Sequence, residues 1–412
     1  MFSPLYKKTE LSNGLRVVSE EIPHIRSVAL GVWITVGSRD EDESNNGISH
    51  FLEHMLFKGT KKRNTRQIAE SLEVVGGTID AFTTKEATYY GAHVLDEHLP
   101  LAVDVLSDIL LNSVFNQIEI EKEKSVVLKE INHYQDTPDD LVFEYFYQNM
   151  YQSHPLGFHI YGIERNIKNF FRDQILNFLN EQYAANRIVI AATGRLKHEH
   201  LISLIEKGFT DLPINKNRTL IKVPNLTCNK TIIKNNCSQA HVCFGTKAYA
   251  YRDAKKFPLM ILNAILGGGM SSLLFQKIRE EYGLVYSIYT FFDFFIDNGL
   301  FGIYFSSENK YISQIFDLIK QELCRVRHNY IDDFVMLKMK NLLKGNLILG
   351  LENTIGRMNR LARNEIYLDQ FYSIDDVIKK IDNITINDVV EVAEELFQEE
   401  NYFTTILTPD DN

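Results

Sequence analysis

"GAHVLDEHLPLAVDVLSDIL", residues 91–110, lies over "GIYFSSENKYISQIFDLIKQEL", residues 302–323, at an offset of roughly 211 residues. Each piece begins as a strand and continues with apolar residues at helical spacing. The elements around the two pieces recur in the same order. In the first half, "KTELSNGLRVVSEE" reads as a hairpin with an Asn-Gly turn, and "SVALGVWITVGS", residues 27–38, as a central strand. "NTRQIAESLEVVGG" reads as a helix capped by Thr65 and ended by Gly76-Gly77. "TIDAFTTKEATYYGAHVL" supplies two strands, and "RIVIAATGRL" closes the half. In the second half "QAHVCFGTKA", "LVYSIYTFFDFF", "NGLFGIYFSS" and "YFTTILTP" read as strands with helices between them. Strands cluster and helices follow, so the fold class is α+β: two similar halves, each a mostly antiparallel sheet packed with helices. The polar, proline-containing stretch 209–227 divides the chain into 1–208 and 228–412.

Composition sets outer bounds. A chain of 412 residues is too long for one ordinary core and predicts several compact units. A net charge of −10 gives no electrostatic case for nucleic acid or an anionic membrane. It does allow an acidic cavity that attracts basic substrates. Cys228, Cys237, Cys243 and Cys324 form no CxxC pair and predict reduced thiols in a reducing compartment. The first residues, "MFSPLYKKTELSNG", carry no apolar leader core, and no stretch approaches the roughly 18 apolar residues that cross a bilayer. The expectation is a cytoplasmic protein without a membrane span.

The chemistry is concentrated in "GISHFLEHMLFKGT", residues 47–60. His50 and His54 are four residues apart, about 40° around a helix, so both imidazoles project together. Two imidazoles so placed can bind one Zn²⁺. Glu53 lies about 60° from His50, within reach of a water the metal would activate. The order is HxxEH, the reverse of the commoner HExxH. Burying two imidazoles and a carboxylate in an apolar run calls for a partner for each. A zinc hydrolase needs a third protein ligand with a fourth position open. The candidate is in "IEIEKEKSVVLKEINHY", where Glu123 and Glu130 stand two turns apart on one helix face. Read from the residues alone, Glu130 is more simply an exposed helix charge than a ligand.

These residues resemble the M16 metallopeptidases, the inverted-zincin group that includes pitrilysin, insulin-degrading enzyme and the mitochondrial processing peptidase. The chain looks most like the short bacterial members related to the processing-peptidase β subunit. In that family HxxEH is followed some 76 residues later by a glutamate ligand, which is the spacing from His54 to Glu130. The resemblance also implies that Glu123 supports the metal site. "LGGGMSSLLFQKIREEYGLVYSIYTF", residues 266–291, is similar to the family's second signature and carries Arg279 and Tyr286. A phosphate-loop reading of its glycines fails for want of a GK[ST] ending. The family's substrate-pairing strand often reads Asn-Ala-x-Thr; here it is Asp80-Ala81-Phe82-Thr83.

The resemblance implies a clam-shell of two homologous halves and one zinc ion per chain, bound by His50, His54 and Glu130. It implies hydrolysis of internal peptide bonds, with Glu53 as general base, Tyr286 donating to the oxyanion and Arg279 holding a substrate carbonyl. A peptide or unfolded polypeptide would add as a strand at residues 79–84. Asp140 and Glu144 match the acidic positions that receive an arginine near the cleavage site in the processing-peptidase β subunit. The segment reads equally as a capped helix start with Asp139 and Asp140 near the positive dipole end. Longer relatives carry four such units, so this chain is expected to act as a homodimer, or as a heterodimer with a second M16 subunit. The competing reading is a non-catalytic or regulatory subunit. Relatives of that kind typically lose part of HxxEH or the distal glutamate, and this chain keeps both.

Overall fold

The computed structural model describes residues 5–210, 212–214, 221–223, 226, 228–328 and 331–409. Of the expected linker, residues 211, 215–220, 224, 225 and 227 lie outside the described residues. The first run of elements is β1 (Leu5–Glu10), β2 (Arg16–Glu21), β3 (Ser27–Ile34), α1 (Ile48–Leu56), α2 (Thr65–Glu73), β4 (Thr78–Thr83), β5 (Thr88–Leu95), α3 (Leu99–Asn112), α4 (Gln117–Gln135), α5 (Pro138–Tyr151), α6 (Glu164–Asn169), α7 (Arg172–Gln182), β6 (Ile188–Gly194) and α8 (His198–Gly208). The second is β7 (Lys230–Asn235), β8 (Ala240–Ala248), α9 (Lys256–Gly267), β9 (Ser287–Phe294), β10 (Gly299–Ser307), α10 (Ile312–His328), α11 (Asp333–Gly350), α12 (Thr354–Arg363), α13 (Ile374–Asp382), α14 (Ile386–Leu396) and β11 (Phe403–Pro409). Two π-helical stretches, Phe275–Glu281 and Asn364–Leu368, complete the site-bearing elements.

The strands form two sheets, β1-β2-β6-β3-β5-β4 and β7-β11-β8-β10-β9. Without β1, the orders are identical. Each sheet has one parallel pair, β2 with β6 and β7 with β11, and is otherwise antiparallel. The two overlaid sequence pieces fall on β5–α3 and β10–α10, the same place in each sheet. The expected duplication and strand polarity are therefore present. Local boundaries differ slightly: Asn64, not Thr65, caps α2, accepting from Gln67 N–H at 2.9 Å while the Gln67 side chain accepts from Asn64 N–H at 2.9 Å. That reciprocal pair satisfies two backbone donors, which Thr65 one position later cannot do. All four cysteines are free.

Packing divides the chain differently from the sequence repeat. One compact unit gathers the described residues of Met1–His133, Phe158–Leu220 and Gly350–Phe371; the other gathers those of Tyr134–Gly157, Ile221–Leu349 and Tyr372–Asn412. In this packing α5 goes with the second sheet and α12 with the first, across the expected boundary of 1–208 and 228–412. In the first unit, one sheet face packs on α1, α3 and α4 through Phe51, Leu52, Leu106, Ile109 and Val127. The other face is closed by α12, whose Met358, Leu361 and Ala362 meet Val18, Ala29, Trp33 and Val189. In the second unit α5 has that position, with Val142, Phe146 and Met150 against Cys243, Leu300, Tyr304 and Phe403.

Both sheets prepare this seat with a cross-strand glycine pair, Gly31 opposite Gly91 and Gly245 opposite Gly302. A Cβ on Gly31 would come 2.5 Å from Met358 Sδ, and one on Gly245 would come 3.0 Å from Phe146 Cζ. The pairs remove side chains where a large apolar group must enter. Burying Phe146 or Met358 there is worth about 1.5–3 kcal/mol each.

Candidate metal centre

Helix α1 has no side-chain cap of its own; Gly47 stands at its start with φ of 99°. The carboxylate of Glu41 takes the cap's place. It accepts from Gly47 N–H and Ser49 N–H at 2.8 Å each and from Asn46 Nδ2 at 2.9 Å. A negative group here meets the positive end of the helix. Burial raises Glu41 to about 7, against the effect of these donors. The backbone near Gly162 lies directly on the helix start: a Cβ on Gly162 would sit 2.5 Å from Gly47 Cα. This contact sets Tyr161 edge-on to His50, with ring centres 4.8 Å apart and planes at 84°.

One turn apart on α1, the rings of His50 and His54 stand 4.5 Å centre to centre. Glu130 comes from α4. Its Oε2 lies 3.8 Å from His50 Nε2 and 3.7 Å from His54 Nε2. Two ligand atoms on a tetrahedral zinc ion are about 3.3 Å apart, so a small inward adjustment would bring all three to bonding distance. Among the described residues, Glu130 Oε2 and His50 Nδ1 are buried polar atoms without a hydrogen-bond partner. Leaving a carboxylate oxygen buried and unpaired is costly unless a cation fills the gap. His50, His54 and Glu130 are the one potential metal-holding group found among the described residues. Two imidazoles, one carboxylate and an open side fit a zinc ion.

Burial lowers His50 to about 3, helped by the charge of His54, so its ring is neutral and offers a lone pair. Burial also pulls His54 down, but its hydrogen bond to Glu123, with the charges of Glu130 and Glu53, leaves it raised overall. Glu123 Oε1 lies 2.8 Å from His54 Nδ1, which orients Nε2 toward Glu130. Its other oxygen, Oε2, pairs with Lys58 Nζ at 2.7 Å. Burial works to raise Glu123, yet the bonds from His54 and Lys58 hold it below the usual range.

Glu53 is raised by burial, although Thr83 Oγ1 donates to its Oε2 at 2.7 Å. Thr83 ends β4, one of the two edge strands of its sheet. Ile79 and Ala81 turn inward onto the core, and Asp80 and Phe82 occupy the other face. Phe82 packs against Tyr89 and Trp33, with ring centres 4.7 and 5.5 Å away. Opposite Asp80, Gly91 leaves space filled by the Tyr89 hydroxyl. The aspartate that departs from the family pattern therefore lies on the face away from Thr83.

The first unit thus brings together His50, Glu53, His54, Thr83, Glu123 and Glu130. Asp80, Ala81 and Phe82 lie in the same unit on β4, whereas Asp140, Glu144, Arg279 and Tyr286 belong to the second unit. Asp140 and Glu144 lie on α5, a helix as expected, the first exposed and the second half-buried. Arg279 sits in the π-helical stretch with its guanidinium 4.7 Å above the Phe275 ring. Tyr286 is 76% exposed, and its N–H donates to Ser306 O at 3.1 Å beside the edge strand β9. Sequence reasoning missed Lys58, Glu41 and Tyr161. Lys58 had a signal, standing four residues after His54; Glu41 acts on backbone N–H groups and Tyr161 through a ring contact with His50, neither of which spacing reveals.

Comparison with known proteins gives this architecture a family. A model described as "Insulinase (Peptidase family M16)" matches residues 16–164, and one described as "Peptidase M16 inactive domain" matches residues 169–343. The chain is 37% identical to the uncharacterized zinc protease YmxG of Bacillus subtilis, covering 99% of both chains. It is 33% identical to an uncharacterized zinc protease of Rickettsia felis, covering 94% of each. Its fold is also that of a protease from Helicobacter pylori, with a TM-score of 0.92 at 21% identity over 99% of this chain and 100% of that one. Fold and site together define a duplicated α+β protein built around a two-histidine, one-glutamate centre. The chain belongs to peptidase family M16. Among the described residues, no helix is long and apolar enough to cross a membrane.

Proposed function

We propose that the chain is a zinc-dependent endopeptidase that hydrolyses internal bonds of short or unfolded polypeptides, in the manner of the processing peptidases. The observation that carries this reading is the buried, unpartnered oxygen of Glu130, facing two imidazole nitrogens beside Glu53. One zinc ion per chain would be held by His50, His54 and Glu130. When bound, zinc supplies Lewis acidity, which polarises a carbonyl and acidifies water from 15.7 toward about 7.

The chain's own residues do the rest. Glu53 takes a proton from the attacking water and returns it to the leaving amine. Its raised proton affinity suits both halves of that task. Thr83 holds the Glu53 carboxylate in place from the edge strand. The free edge of β4, through Asp80, Ala81, Phe82 and Thr83, receives the substrate as an added strand, so main-chain bonds supply affinity. The family resemblance supports Arg279 as the group on a substrate carbonyl and Tyr286 as the oxyanion donor. Asp140 and Glu144 are assigned a preference for basic residues near the scissile bond. A cytoplasmic homodimer is part of the proposal, and light scattering of the purified chain tests its mass.

The decisive experiment is cleavage of a quenched fluorescent peptide with an internal arginine, using wild type and Glu53→Gln, each assayed for zinc. Zinc in both with activity in wild type alone supports the reading. Zinc in both with activity in neither turns it toward a non-catalytic or regulatory subunit of an M16 heterodimer.

A further inference from the structure

We propose that Lys58 is a positioning residue of the metal centre, acting through Glu123 to hold the His54 imidazole with Nε2 turned toward Glu130 and His50. The inference rests on the zinc reading above. Glu123 has two oxygens and two partners: Oε1 meets His54 Nδ1 at 2.8 Å, and Oε2 meets Lys58 Nζ at 2.7 Å. The Glu123 side chain is only 4% exposed, and that of Lys58 is 26% exposed. This is a half-buried, hydrogen-bonded ion pair, where geometry counts for more than at an open surface.

The attachment of Lys58 is also rigid. It follows the last turn of α1, and its N–H donates to Met55 O at 3.1 Å. Gly59, with φ of +121°, then turns the chain away. From the end of α1 the ammonium reaches across to α4, so one side chain bridges the helix that carries the histidines and the helix that carries Glu130. Electrostatics point the same way. Three carboxylates, Glu53, Glu123 and Glu130, crowd two imidazoles. Lys58 neutralises one of them, leaving a balance that a divalent ion completes. Without it, Glu123 Oε2 is buried and unpaired, the carboxylate is free to rotate, and His54 Nδ1–H loses its fixed acceptor. Partners that orient a metal ligand typically change metal affinity 10–100-fold when removed.

The test is zinc affinity, measured by competition with a chromogenic chelator, on wild type, Lys58→Met, Lys58→Arg, Glu123→Gln and the Lys58→Met/Glu123→Gln double variant. Lys58→Met should weaken zinc binding by about tenfold, and Lys58→Arg should restore most of it. In the Glu123→Gln background, Lys58→Met should cost little more, because the lysine acts through that carboxylate. The melting temperature of the zinc-free protein should stay close to wild type. Unchanged zinc affinity in Lys58→Met would overturn the inference. So would full additivity with Glu123→Gln, or a loss matched by unfolding of the zinc-free protein that arginine does not rescue. If wild type itself binds no zinc, the metallopeptidase reading falls and this inference with it.

Discussion

Helices α1 and α9 follow equivalent strands, β3 and β8, in two sheets of the same strand order. Their contents are opposite. Helix α1 buries His50 and Glu53 among Phe51, Leu52 and Met55, whereas α9 reads KFPLMILNAILG and buries Leu259, Ile261, Leu262 and Ile265. One duplicated frame therefore holds a polar cluster in one copy and plain core in the other. The apolar copy shows what the fold requires at this position, and the polar copy shows what was added to it. Polar groups in a core reduce stability unless their partners are complete. The raised Glu53 on α1 and the unpaired Glu130 oxygen facing it from α4 place that cost in the polar cluster, which the apolar copy lacks.

The sharpest way to break this comparison is to exchange function for stability in each helix. Glu53→Gln should lower kcat by about 10²–10⁴-fold or more while leaving zinc bound. Its counterpart test is Leu262→Ala in α9, a side chain with no exposure. That change should cost about 2–5 kcal/mol of stability, read as a lower urea midpoint, with kcat of the folded fraction unchanged. His50→Leu should abolish zinc binding yet leave the zinc-free protein as stable as wild type or more so. Loss of stability in His50→Leu as large as in Leu262→Ala would mean that α1's polar residues are structural after all.

A smaller effect addresses the second unit. Asp140→Lys with Glu144→Lys should lower kcat/KM for arginine-containing peptides by roughly fivefold, about 1 kcal/mol, and spare neutral ones. Equal loss for all peptides would return α5 to its other reading, an acidic helix start that covers a sheet.

How much of this was legible in the sequence depends on the range of the interaction. His50, Glu53 and His54 could be read because helical spacing alone brings them together. The repeat gave both sheets because strand and helix periods are local. Glu130 is different: helix geometry allowed an exposed charge, and only the family spacing singled it out. The exchange of α5 and α12 between units was illegible, since an apolar stripe says that a helix is buried but not against which sheet. The glycine pairs that seat them, Gly31 with Gly91 and Gly245 with Gly302, are meaningful only once strand register is known. Glu41 was hidden for a related reason. Two of its three donors are backbone N–H groups, which every residue but proline has.

Glu41 also gives the comparison its finest test, because the two helices begin differently. Helix α9 has no side-chain cap and carries Pro258 in its first turn, while α1 begins on a buried carboxylate. Burial raises Glu41 from 4.5 to about 7. Between those values the folded chain keeps a proton that the unfolded chain releases. The contribution of this group is therefore full below the unfolded value and declines as the pH rises through the folded one, with a slope of at most one proton, about 1.4 kcal/mol per pH unit. Glu41→Gln cannot titrate, and its amide mismatches one of the two backbone donors, so its absolute stability should be lower throughout. Its pH slope is the informative quantity. From about pH 5 to 7, the stability of wild type should fall relative to the variant, measured as paired urea midpoints at each pH. Parallel curves would mean that the three donors at the helix start outweigh burial and keep Glu41 ionised, making it a fixed anionic cap.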